Sequence, residues 1–217
     1  MKVLVAGAHG KTGRRLVRIL TEDGHEVRGL VRKEEQMPDV EADGAEPMLV
    51  DLEEAEVEGA VGRAVEGCDA IVFAAGAGPG SGAARKETMD YGGAVKLMEA
   101  AQRNGVRRYL MLSSMGAGDP EDGSEAMQPY LFAKARADER LQMSDLDYTI
   151  IRPGSLTDEE GTGRIEATEH LGGRGEISRD DVARTFAEAL ELENTYHKTF
   201  VTPHDTPALT LIATVVK

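Results

Sequence analysis

The 217 residues predict an α/β protein built on a doubly wound parallel sheet with helices on both faces. Three observations carry that expectation. Short apolar runs alternate with helix-length segments, the pattern of βαβ units with right-handed crossovers. Runs such as Ala70-Ile71-Val72-Phe73-Ala74 are continuously apolar, as strands covered on both faces must be. Glycines at 7, 10 and 13 stand between an apolar strand and an apolar-periodic helix.

The first strand is read over 2–6, where Val3-Leu4-Val5-Ala6 runs into the glycines, and the first helix over 12–23 on the spacing of Leu16, Val17 and Leu20. Further strands are expected at 26–32, 46–50, 69–75, 107–113 and 147–152, with helices at 54–66, 85–104 and 130–144 between them. Gly24, Gly67 and Gly105 fall where helices end on a left-handed residue. A late helix opens at Asp180 or Asp181 and carries Val182, Phe186 and Leu190; a last strand lies near 199–202. Three stretches interrupt the rhythm: Gly76–Gly82, Gly116–Pro129, and Ser155–Gly175 with its five glycines. The first two sit at the carboxyl edge of the sheet, where open α/β sheets bind ligands; the third is expected to cover the site. The whole is read as one domain, 1–217, with covering segments at about 115–129 and 154–178 and a small C-terminal substrate lobe.

Composition narrows the function classes. The net charge of −14, from 39 acidic and 25 basic residues, leaves no basic footprint for a nucleic-acid backbone. With no Trp and 4% aromatic residues, a stacking platform for single strands is also excluded. The basic set is 17 Arg against 8 Lys, which suits either a salt-rich cytoplasm or an ordinary acidic protein. No run reaches a membrane span and no leader precedes the first strand, so the expectation is a cytoplasmic protein, monomer or homodimer, acting on a small molecule. The single cysteine, Cys68, is read as buried packing.

The glycine run Gly7-Ala8-His9-Gly10-Lys11-Thr12-Gly13 places helix amides and the helix dipole where an anion is favoured, and its glycines let a pyrophosphate approach the backbone. A dinucleotide is the expected ligand. The second strand ends Val31-Arg32-Lys33 without a carboxylate before Glu34. A planar guanidinium suits a 2′-phosphate, so NADP is favoured and NAD remains possible; a solvated strand-end charge is the plainer reading of Arg32. Asp51 either accepts from the adenine amino group or caps the helix that follows.

Tyr130 and Lys134 are four apart on one helix and so share a face. A phenol near pKa 10 becomes a useful acid or base when a lysine and the positive ring of oxidised nicotinamide lower it. A serine ending the fifth strand, Ser113 or Ser114, can position a substrate oxygen beside the phenol. Met111, Met115 and Met127 border this region, with core packing the default for Met111. The histidines form no metal cluster: His170 is a substrate-facing or a solvated loop residue, and His197 and His204 are the nearest pair.

Taken in order, the glycine loop, the Arg-ended second strand, Ala74-Ala75-Gly76, Ser113-Ser114 and Tyr130/Lys134 resemble the short-chain dehydrogenase/reductase superfamily. Asp90-Tyr91-Gly92-Gly93-Ala94, Asp147 to Gly154 and Ile177 to Ala183 resemble its small atypical or extended members, described as NAD(P)-binding, NmrA-like or epimerase/dehydratase-like. The resemblance spans nearly the whole chain and implies a Rossmann-like fold. It implies Tyr130 as proton donor or acceptor, Lys134 on the nicotinamide ribose and Ser114 on the substrate oxygen, with Ser113 its competitor. It further implies a cofactor lined by Gly7, His9, Gly10, Lys11, Thr12, Gly13, Arg32, Lys33, Asp51, Leu52, Ala74, Ala75, Gly76, Ser113, Pro153 and Gly154. No metal is implied.

The expected activity is an NADP(H)-dependent oxidoreductase acting on a small carbonyl, alcohol or quinone-like substrate. The alternatives are an NmrA-like cofactor sensor, a flavin- or biliverdin-type reductase, and a sugar-nucleotide epimerase or dehydratase. Only 64 residues follow Pro153, which makes a large nucleotide sugar a poor fit.

Overall fold

The computed structural model describes residues 1–54, 57–78, 80–164 and 175–202. Strands β1 (Lys2–Ala6), β2 (Glu26–Val31), β3 (Glu46–Leu49), β4 (Ala70–Phe73), β5 (Arg108–Leu112), β6 (Asp147–Pro153) and β9 (Lys198–Thr202) make a parallel sheet of order β3-β2-β1-β4-β5-β6-β9. The order reverses between β1 and β4, a topological switch point, at whose carboxyl ends open α/β sheets bind ligands. This is the Rossmann-like doubly wound sheet that the alternation predicts. A second, two-stranded parallel sheet pairs β7 (Ser155–Thr157) with β8 (Glu176–Ser178).

Strand residues alternate between faces, so each strand feeds two cores. Leu4, Ala6, Ile71, Phe73, Tyr109, Met111 and Ile150 face α3 (Glu58–Val65), α5 (Ala94–Arg103) and α6 (Gln128–Gln142). Val3, Val5, Val72, Leu110, Leu112 and Ile151 face α1 (Lys11–Glu22), α2 (Met37–Ala42) and α7 (Arg179–Glu191). Met111 is fully buried, a packing residue. Cys68 is buried as expected, and burial pushes its thiol up, away from the reactive thiolate.

The helix ends follow local chemistry. Gly24, Gly67 and Gly105 have φ of +85°, +73° and +71°, the left-handed conformation that lets the chain leave a helix. Ser178 caps α7, its Oγ accepting from the Asp181 amide at 3.0 Å. Buried Arg108 closes the other end of α7, donating to the carbonyls of Ala189 (2.5 Å) and Leu190 (3.1 Å).

Several elements differ from expectation. The short α2 has no counterpart among the expected helices; its one buried side chain is Val40, packed where a side chain on Gly29 would stand. Helix α3 begins at Glu58 rather than 54. The fourth helix opens as α4 (Ala83–Arg85), passes through a π-helical stretch, Lys86–Gly93, and continues as α5. Ser155–Thr157 of the late glycine-rich segment form β7, paired with β8; residues 165–174 of that segment, with His170, and His204 lie outside the described residues. No helix among the described residues is long and apolar enough to cross a membrane.

Candidate functional site

The glycine loop closes against the carboxyl end of β4. Gly7 has φ +81°, and a Cβ there would stand 2.7 Å from the Ala75 Cα. A Cβ on Gly13 would stand 2.1 Å from the Gly7 carbonyl oxygen. The Gly10 amide donates to that oxygen at 2.8 Å. Both clashes would be with backbone, so no side chain fits at either glycine and the first turn of α1 packs directly on the loop. The bare cradle fits a diphosphate at a helix N-terminus. Ala74, half-buried Gly7, buried Ala75 and exposed Gly76 complete this wall, while Thr12 turns inward.

The other expected cofactor residues are placed as follows. His9 is half-exposed, its Nε2 2.9 Å from Asp39 Oδ2. Lys11 reaches Asp158. Arg32 is exposed; its amide donates to Gln36 Oε1 at 3.1 Å, and its guanidinium has no ion-pair partner among the described residues. Lys33 pairs with Glu35 at 3.1 Å. Asp51 Oδ1 accepts from the Glu53 amide at 2.9 Å, closing a local turn; it does not cap the next helix, α3, whose N-cap is Val57. Leu52 sends its side chain into the core, and its carbonyl accepts from Lys96 Nζ at 2.7 Å.

Beyond β5 and β6 a cleft of about 580 Å³ opens, walled by Ser114, Met115, Met127, Tyr130, Leu131, Pro153, Gly154, Leu156 and Arg179. It brings Tyr130 and Ser114 together. Burial pushes the Tyr130 phenol above its ordinary value; Lys134 and hydrogen bonding with Ser114 pull it down without reversing that. The expected downward shift is therefore not met within the protein. The ammonium groups of Lys86 and Lys134 each lie 5.9 Å from the Tyr130 ring centroid.

Lys134 lies beneath the cleft, 3% exposed. Its ammonium donates to the Leu112 carbonyl at 2.9 Å and stands 3.3 Å from Asp90 Oδ1. Burial disfavours that charge, yet Tyr130, Asp90 and Asp138 together hold the amine above its ordinary value, so it stays protonated. Asp90 comes from the π-helical stretch and its Oδ2 accepts from the Ala77 amide at 3.1 Å. It ties Lys134 to the loop after β4. Local π-helix is a frequent companion of such placements.

The adjacent serines have different surroundings. Ser113 is 2% exposed and donates to Asp138 Oδ2 at 2.8 Å, an oxygen that also accepts from Arg152 Nε at 2.8 Å. Its hydroxyl is thus held inward, which leaves Ser114 beside Tyr130. Burial pushes Asp138 above the usual carboxylate range against the pull of Arg152 and Ser113. Asp90, Asp138 and Arg152 stand around these residues without a role in the sequence reading, which quotes Asp90 and Arg152 only within family-like motifs and does not single out Asp138. Asp138 is within reach of the spacing argument, since it lies one helical step beyond Lys134 on the face that carries Tyr130.

A family model described as NAD(P)H-binding matches residues 7–193. The chain belongs to that NAD(P)H-binding family, an atypical branch of the short-chain dehydrogenase/reductases. The chain is 45% identical to the uncharacterized sugar epimerase YhfK of Bacillus subtilis, over 95% of this chain and 96% of that one. A Bacillus halodurans structure assigned as an NAD-dependent epimerase/dehydratase is 42% identical, with TM-score 0.88 over 95% of this chain and 96% of its own. The oxidoreductase ylbE of Lactococcus lactis is 30% identical, with TM-score 0.82 over 95% of this chain and 91% of its own. Family membership and the glycine cradle agree on the ligand class.

Proposed function

We propose that this family member is an NADP(H)-dependent oxidoreductase that reduces or oxidises a small carbonyl, alcohol or quinone-like substrate, with Tyr130 as acid/base. The observation that carries the reading is the pairing of Tyr130 with Ser114 on the wall of a cleft beyond β5 and β6, whose Arg179 is linked through Asp158 to Lys11 of the glycine loop. Bound nicotinamide supplies or accepts the hydride. Ser114 holds the substrate oxygen, and Tyr130 Oη moves the proton to or from it. Lys134, a permanent cation beneath the phenol, stabilises the tyrosinate left after proton donation. Pro153 and Gly154 border the nicotinamide, and Arg32 receives the 2′-phosphate through its planar fork. Segment 115–129 and the described part of 154–178 cover the substrate within one domain. Met115, Met127, Leu131 and Leu156 make the apolar wall for a compact substrate, which favours oxidoreduction over the sugar chemistry in the name of the Bacillus subtilis relative.

One observation favours a second reading, a cofactor-binding regulator. The Lys134 ammonium is already held by the Leu112 carbonyl and Asp90, an arrangement that serves a fold as well as a reaction. The test is NADPH oxidation against a panel of small carbonyls, quinones and flavins, repeated with Tyr130→Phe. Oxidoreduction with tyrosine catalysis predicts turnover on at least one acceptor and a loss of at least a hundredfold in the variant, with NADPH binding kept. Binding without turnover on any acceptor supports the regulator. Full turnover in Tyr130→Phe rejects the tyrosine as acid/base.

A further inference from the structure

Three cations meet one carboxylate where the covering segment crosses the opening of α1. Asp158, directly after β7, takes Lys11 Nζ on Oδ2; on Oδ1 it takes Arg179 NH1 at 2.9 Å, with Arg15 NH2 at 3.8 Å. Arg15 also bonds Asp180, the second residue of α7, and donates to the Lys11 carbonyl at 2.9 Å. The cluster therefore bridges the N-termini of α1 and α7. Lys11 belongs to the glycine loop, and Arg179 walls the cleft.

We propose that Asp158 is an internal competitor for the cofactor diphosphate, occupying Lys11 until the dinucleotide displaces it. The inference rests on the dinucleotide lying across the glycine loop. A diphosphate brings negative charge to the end of α1 where the dipole and Lys11 favour it. Asp158 already supplies an anion at that end and holds Lys11 away from a second. The Lys11 side chain is 67% exposed, against 23% for Arg15 and 20% for Arg179. Lys11 is accordingly the cation free to turn, while Arg179 and Arg15 keep Asp158 in place.

Releasing Lys11 does not free the segment. Asp181 accepts from the amides of Thr162 and Gly163, each at 2.8 Å, and Asp180 from that of Gly161 at 3.3 Å. The covering chain is thus anchored to α7 whether or not Lys11 holds it. The exchange therefore changes cofactor affinity and leaves the fold as it is. Lys11 passes from one anion to another.

The test is calorimetric titration of NADPH into wild type, Asp158→Asn, Lys11→Met and the double variant. A charge-matched control is Asp23→Asn, which removes a partner of Arg184 and leaves Lys11 untouched. Asp158→Asn is expected to bind NADPH at least threefold more tightly, Lys11→Met more weakly, and the gain to vanish when both are changed. Asp23→Asn is expected to match wild type. Unchanged or weakened binding in Asp158→Asn overturns the proposal, the latter making Asp158 a supporting strap. A gain that survives Lys11→Met, or that Asp23→Asn reproduces, reduces it to net charge and overturns it equally. Absence of NADPH binding by wild type rejects the cofactor reading itself, a result distinct from wild-type binding that Asp158→Asn leaves unaltered.

Discussion

Lys134 and Asp90 form an ion pair out of contact with water: their side chains are 3% and 1% exposed, with Nζ 3.3 Å from Oδ1. One stands on α6 and the other on the π-helical stretch before α5, so the pair joins two helices below Tyr130. Removing one member of a buried pair leaves the other uncompensated. Asp90→Ala is expected to cost about 3–5 kcal/mol in urea unfolding. Asp90→Asn is expected to cost less, because its amide oxygen can still accept from the Ala77 amide. Equal stability of Asp90→Ala and wild type would mean that the pair contributes nothing.

The phenol of Tyr130 is held above its ordinary value of about 10 by burial. As an acid it stays protonated across the neutral range. Carbonyl reduction is therefore expected to be level with pH from about 6 to 9 and to fall only above the phenol's ordinary value of about 10. Interaction with Ser114 lowers that pKa, so Ser114→Ala is expected to move the falling limb further up. A limb near neutrality assigned to Tyr130 would contradict this.

Two left-handed glycines separate conformational cost from site geometry. Gly24 has φ +85° and a Cβ there would meet nothing within 4 Å, whereas at Gly7 (φ +81°) a Cβ meets the Ala75 backbone at 2.7 Å. Gly24→Ala is expected to lose about 1–2 kcal/mol of stability and to keep NADPH affinity. Gly7→Ala is expected to lose binding as well, since the loop must move away from β4. Thermal unfolding alongside fluorescence titration distinguishes them.

Arg32 presents its guanidinium just past the end of β2 with no ion-pair partner among the described residues, beside a lysine that is occupied by Glu35. Arg32→Ala is expected to weaken NADPH binding at least tenfold and leave NADH binding unchanged. Lys33→Ala is expected to have a smaller effect. Equal losses for both cofactors in Arg32→Ala would place its role elsewhere than the 2′-phosphate.

The sheet is readable in the sequence because Ile71, Val72 and Phe73 are buried on both faces, which forces a continuous apolar run. The helix ends are readable because only glycine takes the φ of Gly67 and Gly105 cheaply. Helix α2 is hidden because it is six residues long and buries a single side chain, Val40, too little for a period to register. The π-helical turn is hidden because nothing in Lys86–Gly93 encodes its hydrogen-bond spacing. The choice between Ser113 and Ser114 depends on Asp138, which only the packing of α6 against β5 and β6 brings into reach. The pairing of Ser155–Thr157 with Glu176–Ser178 joins distant segments, a contact that no local pattern announces. For the candidate site, Tyr130 and Lys134 are visible from their spacing, but the partners that hold Lys134 below the cleft are not.

Titration of the protein with NADPH and NADH by calorimetry tests the central claim most directly, that a dinucleotide lies on the glycine cradle with its 2′-phosphate at Arg32. Saturable heat with NADPH, at least tenfold tighter than with NADH, is the predicted result. No heat with either dinucleotide would contradict it.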